Sequence, residues 1–234
     1  LYVVSYHAQT RYSVSNTYFT GSVVTGTLTA PSSASAGGNG VFGYGSSGTF
    51  PTASYDASNY FVDVIASVPA QPTTLTLFQP SDTPAVVNSS DGGPLELGVK
   101  FRTTAAGASA LGVKFYKGSL NTGTHVAHLW TTAGTLLATA TFTGETASGW
   151  QTVNFASSVA LTPNTTYIAS YHTTAKYSAT INGFVNARVN GTLSAPSSAS
   201  SGGNGVFSYG PSGSFPTATY SATNYLVDVI VQSL

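Results

Sequence analysis

The sequence predicts an all-β protein, an antiparallel two-sheet β-sandwich, jelly-roll-like, in tandem repeat. Three observations carry this. Short runs with period-two alternation recur between Gly, Asn, Pro and Ser turns at intervals of roughly 8–15 residues, the spacing of sandwich strands. No window of about 11 residues holds an apolar stripe with the helical period. Finally, GGNGVFSYGPSGSFPTATYSATNYLVDVIV at 202–231 is a near copy of GGNGVFGYGSSGTFPTASYDASNYFVDVIA at 37–66. The offset of 165 residues needs no gap from Leu1/Thr166 to Pro69/Leu234, and 39 of those 69 positions are identical. A repeat this regular sets the layout. Residues 1–68 read as the C-terminal part of a first repeat, 69–75 as a linker, and 76–234 as a complete second repeat.

Composition narrows the function classes. Charged residues make up 6% of the chain, seven basic against seven acidic, which excludes a nucleic-acid surface or a polyelectrolyte tail. With 41% hydrophobic residues, 12 Phe and 14 Tyr, the chain has the apolar area to offset its ordering entropy. The absence of Cys closes the disulfide and thiolate chemistries. No apolar run approaches the roughly 18 residues of a membrane span. A first residue that is not Met and falls within a repeat reads as a segment of a longer polypeptide. Few charges with abundant Thr, Ser, Asn, Gly and Tyr resemble bacterial extracellular repeat proteins.

Taken in order, LYVVSYH at 1–7 alternates as a strand and is matched by TYIASYH at 166–172, which follows the turn-like Thr162-Pro163-Asn164. Residues 8–25 differ most between the copies, yet Tyr12/Tyr177 and Phe19/Phe184 stay aromatic, so a loop hung on aromatics is expected. In GTLTAPSSASAGGNGVF, Pro31 and the Gly-Gly-Asn-Gly run supply the restricted and positive φ values of a folded loop, and a strand follows at 41–44. Residues 59–65 and 224–230 read as the strongest strand of each copy. PAQPTT at 69–74 has the character of a short extended linker. Beyond it LELGVKFRT, ALGVKFYKG, THVAHLWT, GTLLATATFTG and GWQTVNF supply the remaining strands. Residues 1–68 lack counterparts of 76–165, so their sheet edges are expected to be unpaired unless upstream residues or another chain supply strands.

The segments LGVKF, FYKG, NTGTHV, LW, GTLLA, ETASGWQ and the NYxVDV ending stand in an order that resembles the bacterial domain-of-unknown-function family DUF4082. The resemblance covers about 76–234 as a full domain and 1–68 as part of another. It implies an extracellular, non-catalytic accessory module that occurs in tandem or beside other secreted domains. The family lends no catalytic residues to carry over.

Several residues are candidates for chemistry. Alternation through NYLVDVIV places Leu226, Asp228 and Ile230 on one face, so Asp228 sits in an apolar row and needs a cation, N–H donors or a metal. Asp82, Asp91 and Glu96 with Asp228 are the candidate calcium ligands, hard oxygens of the kind Ca²⁺ takes. The competing account of Asp228 is an ion pair with Lys or Arg, backbone hydrogen bonds, or a wet edge position; Asp63 repeats the arrangement. His125 and His128, three apart in a strand, point to opposite faces and should not share a metal, while Trp130 follows on the face of His128. GSSG at 45–48 and GPSG at 210–213 only half match a nucleophile elbow, and the acids of the complete unit, Asp82, Asp91, Glu96, Glu145 and Asp228, form no recognisable pair.

Glycan binding needs aromatic faces and uncharged hydrogen-bonding groups. Tyr171, His172, Tyr177, Phe184, Tyr209 and Phe215 are the candidates, with Tyr6, His7, Tyr12, Phe19, Tyr44 and Phe50 in the first copy. The competing account is that most of these rings fill the core. Two functions are therefore expected: a non-enzymatic structural repeat of a secreted or surface stalk or fibre, whose partners are neighbouring repeats or other extracellular domains, and a carbohydrate-binding module that takes polysaccharide.

Overall fold

The computed structural model describes residues 1–67, 71–174 and 176–233. The chain divides into two compact units, residues 1–69 and 70–234.

The first unit holds short elements, with the bridge Ser15–Asn59 joining its two ends. A single 3-10 turn at Tyr18–Thr20 is followed by the hairpin β1 (Val23–Thr25) and β2 (Leu28–Ala30), the one-turn helix α1 (Ser33–Ala36), and the short pair β3 (Val41–Phe42) and β4 (Ala53–Ser54). The helix starts where Ser32 Oγ accepts from the Ser35 N–H at 3.2 Å and stops at Gly37 in the left-handed region. Asn39 ties the following loop down by donating to the Pro31 carbonyl at 2.7 Å. Gly40 then passes so close to the Ser58 carbonyl, at φ +70, that a Cβ would overlap it.

In the second unit the strands run β5 (Thr73–Leu75), β6 (Val86–Ser89), β7 (Leu95–Thr103), β8 (Ser109–Lys117), β9 (Val126–Thr131), β10 (Leu136–Thr141), β11 (Gly149–Ala160), β12 (Tyr167–Thr173), β13 (Tyr177–Ala179), β14 (Arg188–Asn190) and β15 (Leu193–Ala195). The helix α2 (Ser198–Ser201) and strands β16 (Val206–Tyr209), β17 (Ala218–Thr219) and β18 (Val227–Ser233) complete it. One sheet has the order β10-β9-β12-β7-β15-β14, with β16 also on β7 and β17 on β16. The other has the order β11-β8-β18-β5, and every pairing is antiparallel. Alternation decides what lies between the sheets: Leu95, Leu97, Val99 and Phe101 from β7 and Tyr167, Ala169 and Tyr171 from β12 meet Val113 and Phe115 from β8 and Val227, Val229 and Val231 from β18. Phe115 and Tyr171 stack across the gap with ring centres 4.1 Å apart. An all-β two-sheet sandwich is what the second unit forms.

At the repeat offset, the second unit reproduces the strands and the α-helical turn of the first: β14, β15, α2, β16 and β17 match β1, β2, α1, β3 and β4. The bridge Thr180–Asn224 recurs as Ser15–Asn59, but β12 and β18, which pair with β7, β9, β8 and β5, are not reproduced. Residues 1–7 were expected to form a strand like β12, and 59–65 a strand like β18, but neither does. Where β12 lies between β7 and β9, and β18 between β8 and β5, the first unit offers nothing equivalent to pair with. Strand formation is a property of the pair, and period-two alternation alone does not create it. The consequence is apolar exposure: Ile65 is 103% exposed against 8% for Ile230, Tyr6 50% against 0% for Tyr171, and Leu28 41% against 0% for Leu193.

The linker also needs correction. Thr73, Thr74 and Leu75 form β5 and pair with Ser233, Gln232 and Val231, so part of 69–75 belongs to the second sandwich. Residues 68–70, the end of the first repeat and the start of that linker, lie outside the described residues.

Candidate functional site

The Leu77–Phe78 segment, just after β5, passes over the outer face of β18, and Asp228 anchors it. The carboxylate accepts from the N–H groups of Leu77 (2.7 Å), Phe78 (3.0 Å) and Val229 (2.8 Å), and Lys114 Nζ lies 3.5 Å away. Burial pushes the Asp228 pKa up, while these N–H donors and Lys114 hold it down. Around the same segment Arg188 donates to the Leu77 carbonyl at 2.9 Å, covers the Phe78 ring at 4.7 Å and pairs with Asp82. Ion pairing plus backbone hydrogen bonds is thus the satisfaction that Asp228 finds. Asp63, its counterpart, is exposed and accepts the Val64 N–H at 2.7 Å.

The calcium shell assembled from Asp82, Asp91, Glu96 and Asp228 is therefore corrected. Each has its own partner: Asp82 has Arg188, Asp228 the segment just described, Asp91 the Tyr209 hydroxyl at 3.1 Å, and Glu96 the His128 ring. Calcium takes 6–8 oxygens around one point. No group of three or more potential ligands converges among the described residues.

His125 and His128 go to opposite sides of their sheet, as alternation requires. Outside the core, His128 Nδ1 donates to Glu96 at 2.8 Å, Ser170 Oγ donates to the same carboxylate oxygen at 2.5 Å, and Trp130 Nε1 donates to Ser170 Oγ at 2.8 Å. The Trp130 ring sits beside His128 at 5.3 Å. Inside the core, His125 Nδ1 donates to Glu145 at 2.8 Å, and Lys117 also pairs with that carboxylate at 2.7 Å. His125 Nε2 lies 2.9 Å from Asn121 Oδ1, while Asn121 Nδ2 is buried without a partner. Turning the amide over gives a neutral imidazole a donor.

That neutrality has a measurable consequence. Burial lowers the His125 pKa below its ordinary 6.5, outweighing the opposing pull of Glu145. The unfolded chain therefore takes up the proton first as pH falls, and the stability tied to a neutral ring is full above 6.5 and lost below it. Denaturation midpoints are expected to fall between pH 7 and pH 5, and His125→Gln should flatten that slope. An unchanged slope in the variant contradicts this account.

The aromatic candidates divide by burial. Tyr171 and Phe184 are sealed in the core, and Tyr177 and His172 are buried, with His172 Nε2 donating to the Gly210 carbonyl at 3.3 Å. None of these four has a free face for a sugar, which corrects their assignment. Tyr209 is exposed. Tyr6, Tyr12 and Tyr44 are exposed as well, the first two at positions whose counterparts in the complete unit are buried.

A cleft of about 540 Å³ opens on the outer face of the larger sheet, lined by Lys100 and Arg102 of β7, Ile168 of β12, Ser201 of α2, and Phe215 and Pro216. Sequence reasoning singled out Phe215 but missed Lys100 and Arg102. The signal was present, since alternation in LELGVKFRT puts Glu96, Gly98, Lys100 and Arg102 on the face away from Leu95, Leu97, Val99 and Phe101.

The fold is a two-sheet antiparallel sandwich, formed by the second unit, in a chain whose sequence repeats at an offset of 165 residues. The chain matches the family described as Domain of unknown function (DUF4082) over residues 1–62 and 81–227, and it belongs to that family. No curated protein matches it. No described helix is long and apolar enough to cross a membrane.

Proposed function

We propose that the chain is a non-catalytic structural module of a secreted or surface-exposed bacterial protein, in which successive DUF4082 units build a stalk or fibre and contact neighbouring repeats. The observation that carries this is the repeat itself: at an offset of 165 residues, 39 of 69 positions are identical, and β1, β2, α1, β3 and β4 recur as β14, β15, α2, β16 and β17. Units that recur at so exact a spacing are the form that stalks and fibres take. The structural use of Asp228, Glu96 and Glu145, each bound by neighbouring donors, favours a scaffold over a reaction centre. Sedimentation and negative-stain electron microscopy of the purified chain test the proposal. End-to-end assemblies that lengthen with concentration are expected, and isolated particles without unit-to-unit contact at every concentration contradict it.

Carbohydrate binding is the second reading, favoured now by the cleft at Lys100 and Arg102 and no longer by the buried tyrosines.

A further inference from the structure

We infer that the cleft between β7, β12, α2 and Phe215 is a binding site for an anionic sugar unit of a polysaccharide, with Lys100 and Arg102 holding the acidic group. The inference rests on the carbohydrate-binding reading and specifies its ligand.

Charge bookkeeping in the second unit isolates this place. Its carboxylates are Asp82, Asp91, Glu96, Glu145 and Asp228, and each is engaged by Arg188, Tyr209, His128, Lys117 with His125, or Lys114. Among the described residues of that unit, Lys100, Arg102 and Lys176 are the cations without an ion pair. Two of those three line one cleft. They stand two residues apart on the same face of β7, roughly 7 Å along the strand, a separation that lets both cations reach one acidic group. Lys100 Nζ donates to the Ser201 carbonyl at 3.0 Å, which leaves further donors to spend on a ligand. Burial lowers the Lys100 pKa from its ordinary value, so an anion at its side restores what solvent no longer supplies.

The rest of the lining suits a sugar. Phe215, packed on Trp130 with ring centres 5.5 Å apart, and the neighbouring Pro216 and Ile168 give an apolar floor. Thr132, Thr166 and Thr217 also line the cleft. The volume is in the range of small-ligand pockets. Asn204 keeps the walls in place, accepting from the Lys100 N–H at 2.9 Å and donating to the Lys100 carbonyl at 3.0 Å and the Pro196 carbonyl at 2.8 Å. Asn39 and Phe50 stand at the matching positions of the first copy.

The test is affinity electrophoresis of the full chain through gels holding polygalacturonate, dextran sulfate or neutral dextran. Retardation by one or both anionic polymers and not by neutral dextran is expected, weakening with added salt. The arm that retards identifies the acidic group as carboxylate, sulfate or either. Arg102→Glu, at an exposed position, should weaken that binding by at least about tenfold, and Lys100→Gln similarly. Lys176→Ala, outside the cleft, should leave it unchanged. Retardation by neutral dextran alone overturns the anionic site while sparing carbohydrate binding. No retardation by any polymer overturns both, and anionic binding that survives Arg102→Glu or falls equally in Lys176→Ala overturns the site.

Discussion

Asp228→Ala is expected to destabilise the second unit by about 3–5 kcal/mol, the cost of removing one partner from a buried polar cluster. The change strands the N–H groups of Leu77 and Phe78 as well as the Lys114 ammonium. Lys114 has alternatives, since it lies 4.8 Å over the Trp150 ring and 3.5 Å from the Phe78 carbonyl. The backbone donors have none. The orphaned N–H groups therefore dominate the loss, and adding Lys114→Met should recover only a minor part of it. Asp63→Ala supplies the internal control. That carboxylate is exposed and holds one N–H beside it, so its loss should fall within about 0.5 kcal/mol, the usual range for surface substitutions. Urea denaturation of both variants checks the pair. A loss under about 1 kcal/mol for Asp228→Ala would falsify the clamp.

The second large effect concerns the first unit. Placing a copy of residues 71–165 ahead of Leu1 restores the order of a complete repeat. The added strands should pair with residues 1–7 and 59–65 and bury Tyr2, Tyr6 and Ile65. Calorimetry should then show an additional cooperative transition with an enthalpy on the order of 115 kcal/mol near 60 °C, the typical value for about 165 residues. If the enthalpy stays that of the parent chain, the added strands do not complete the first unit.

How much of this was legible in the sequence depended on range. The Ser32 and Ser197 caps, the ties from Asn39 to Pro31 and from Asn204 to Pro196, and the close approaches of Gly40 to Ser58 and Gly205 to Thr223 all act within one copy, and both copies form them alike. Long-range partners left no local trace. Residues 1–7 carry nearly the alternation of 166–172, yet only the latter pair, because β7 and β9 are there to receive them. Asp228 could be recognised as needing partners, but the Leu77 and Phe78 N–H groups lie about 150 residues away. Burial of Tyr177 and Phe184 was hidden for the same reason: they sit in a variable loop-rich stretch whose cover comes from elsewhere. Lys100 and Arg102 were within reach of simple alternation, since LELGVKFRT sets both on the face away from its apolar row.

The central claim is that one sequence pattern has two fates, set by whether its partner strands are present. Hydrogen–deuterium exchange of the full chain tests this most directly, because segments related by the repeat are compared within one molecule. Peptides covering 166–172 and 226–232 should be protected to near the global stability of their unit, while those covering 1–7 and 61–67 exchange freely. Equal protection of the two sets would contradict the account.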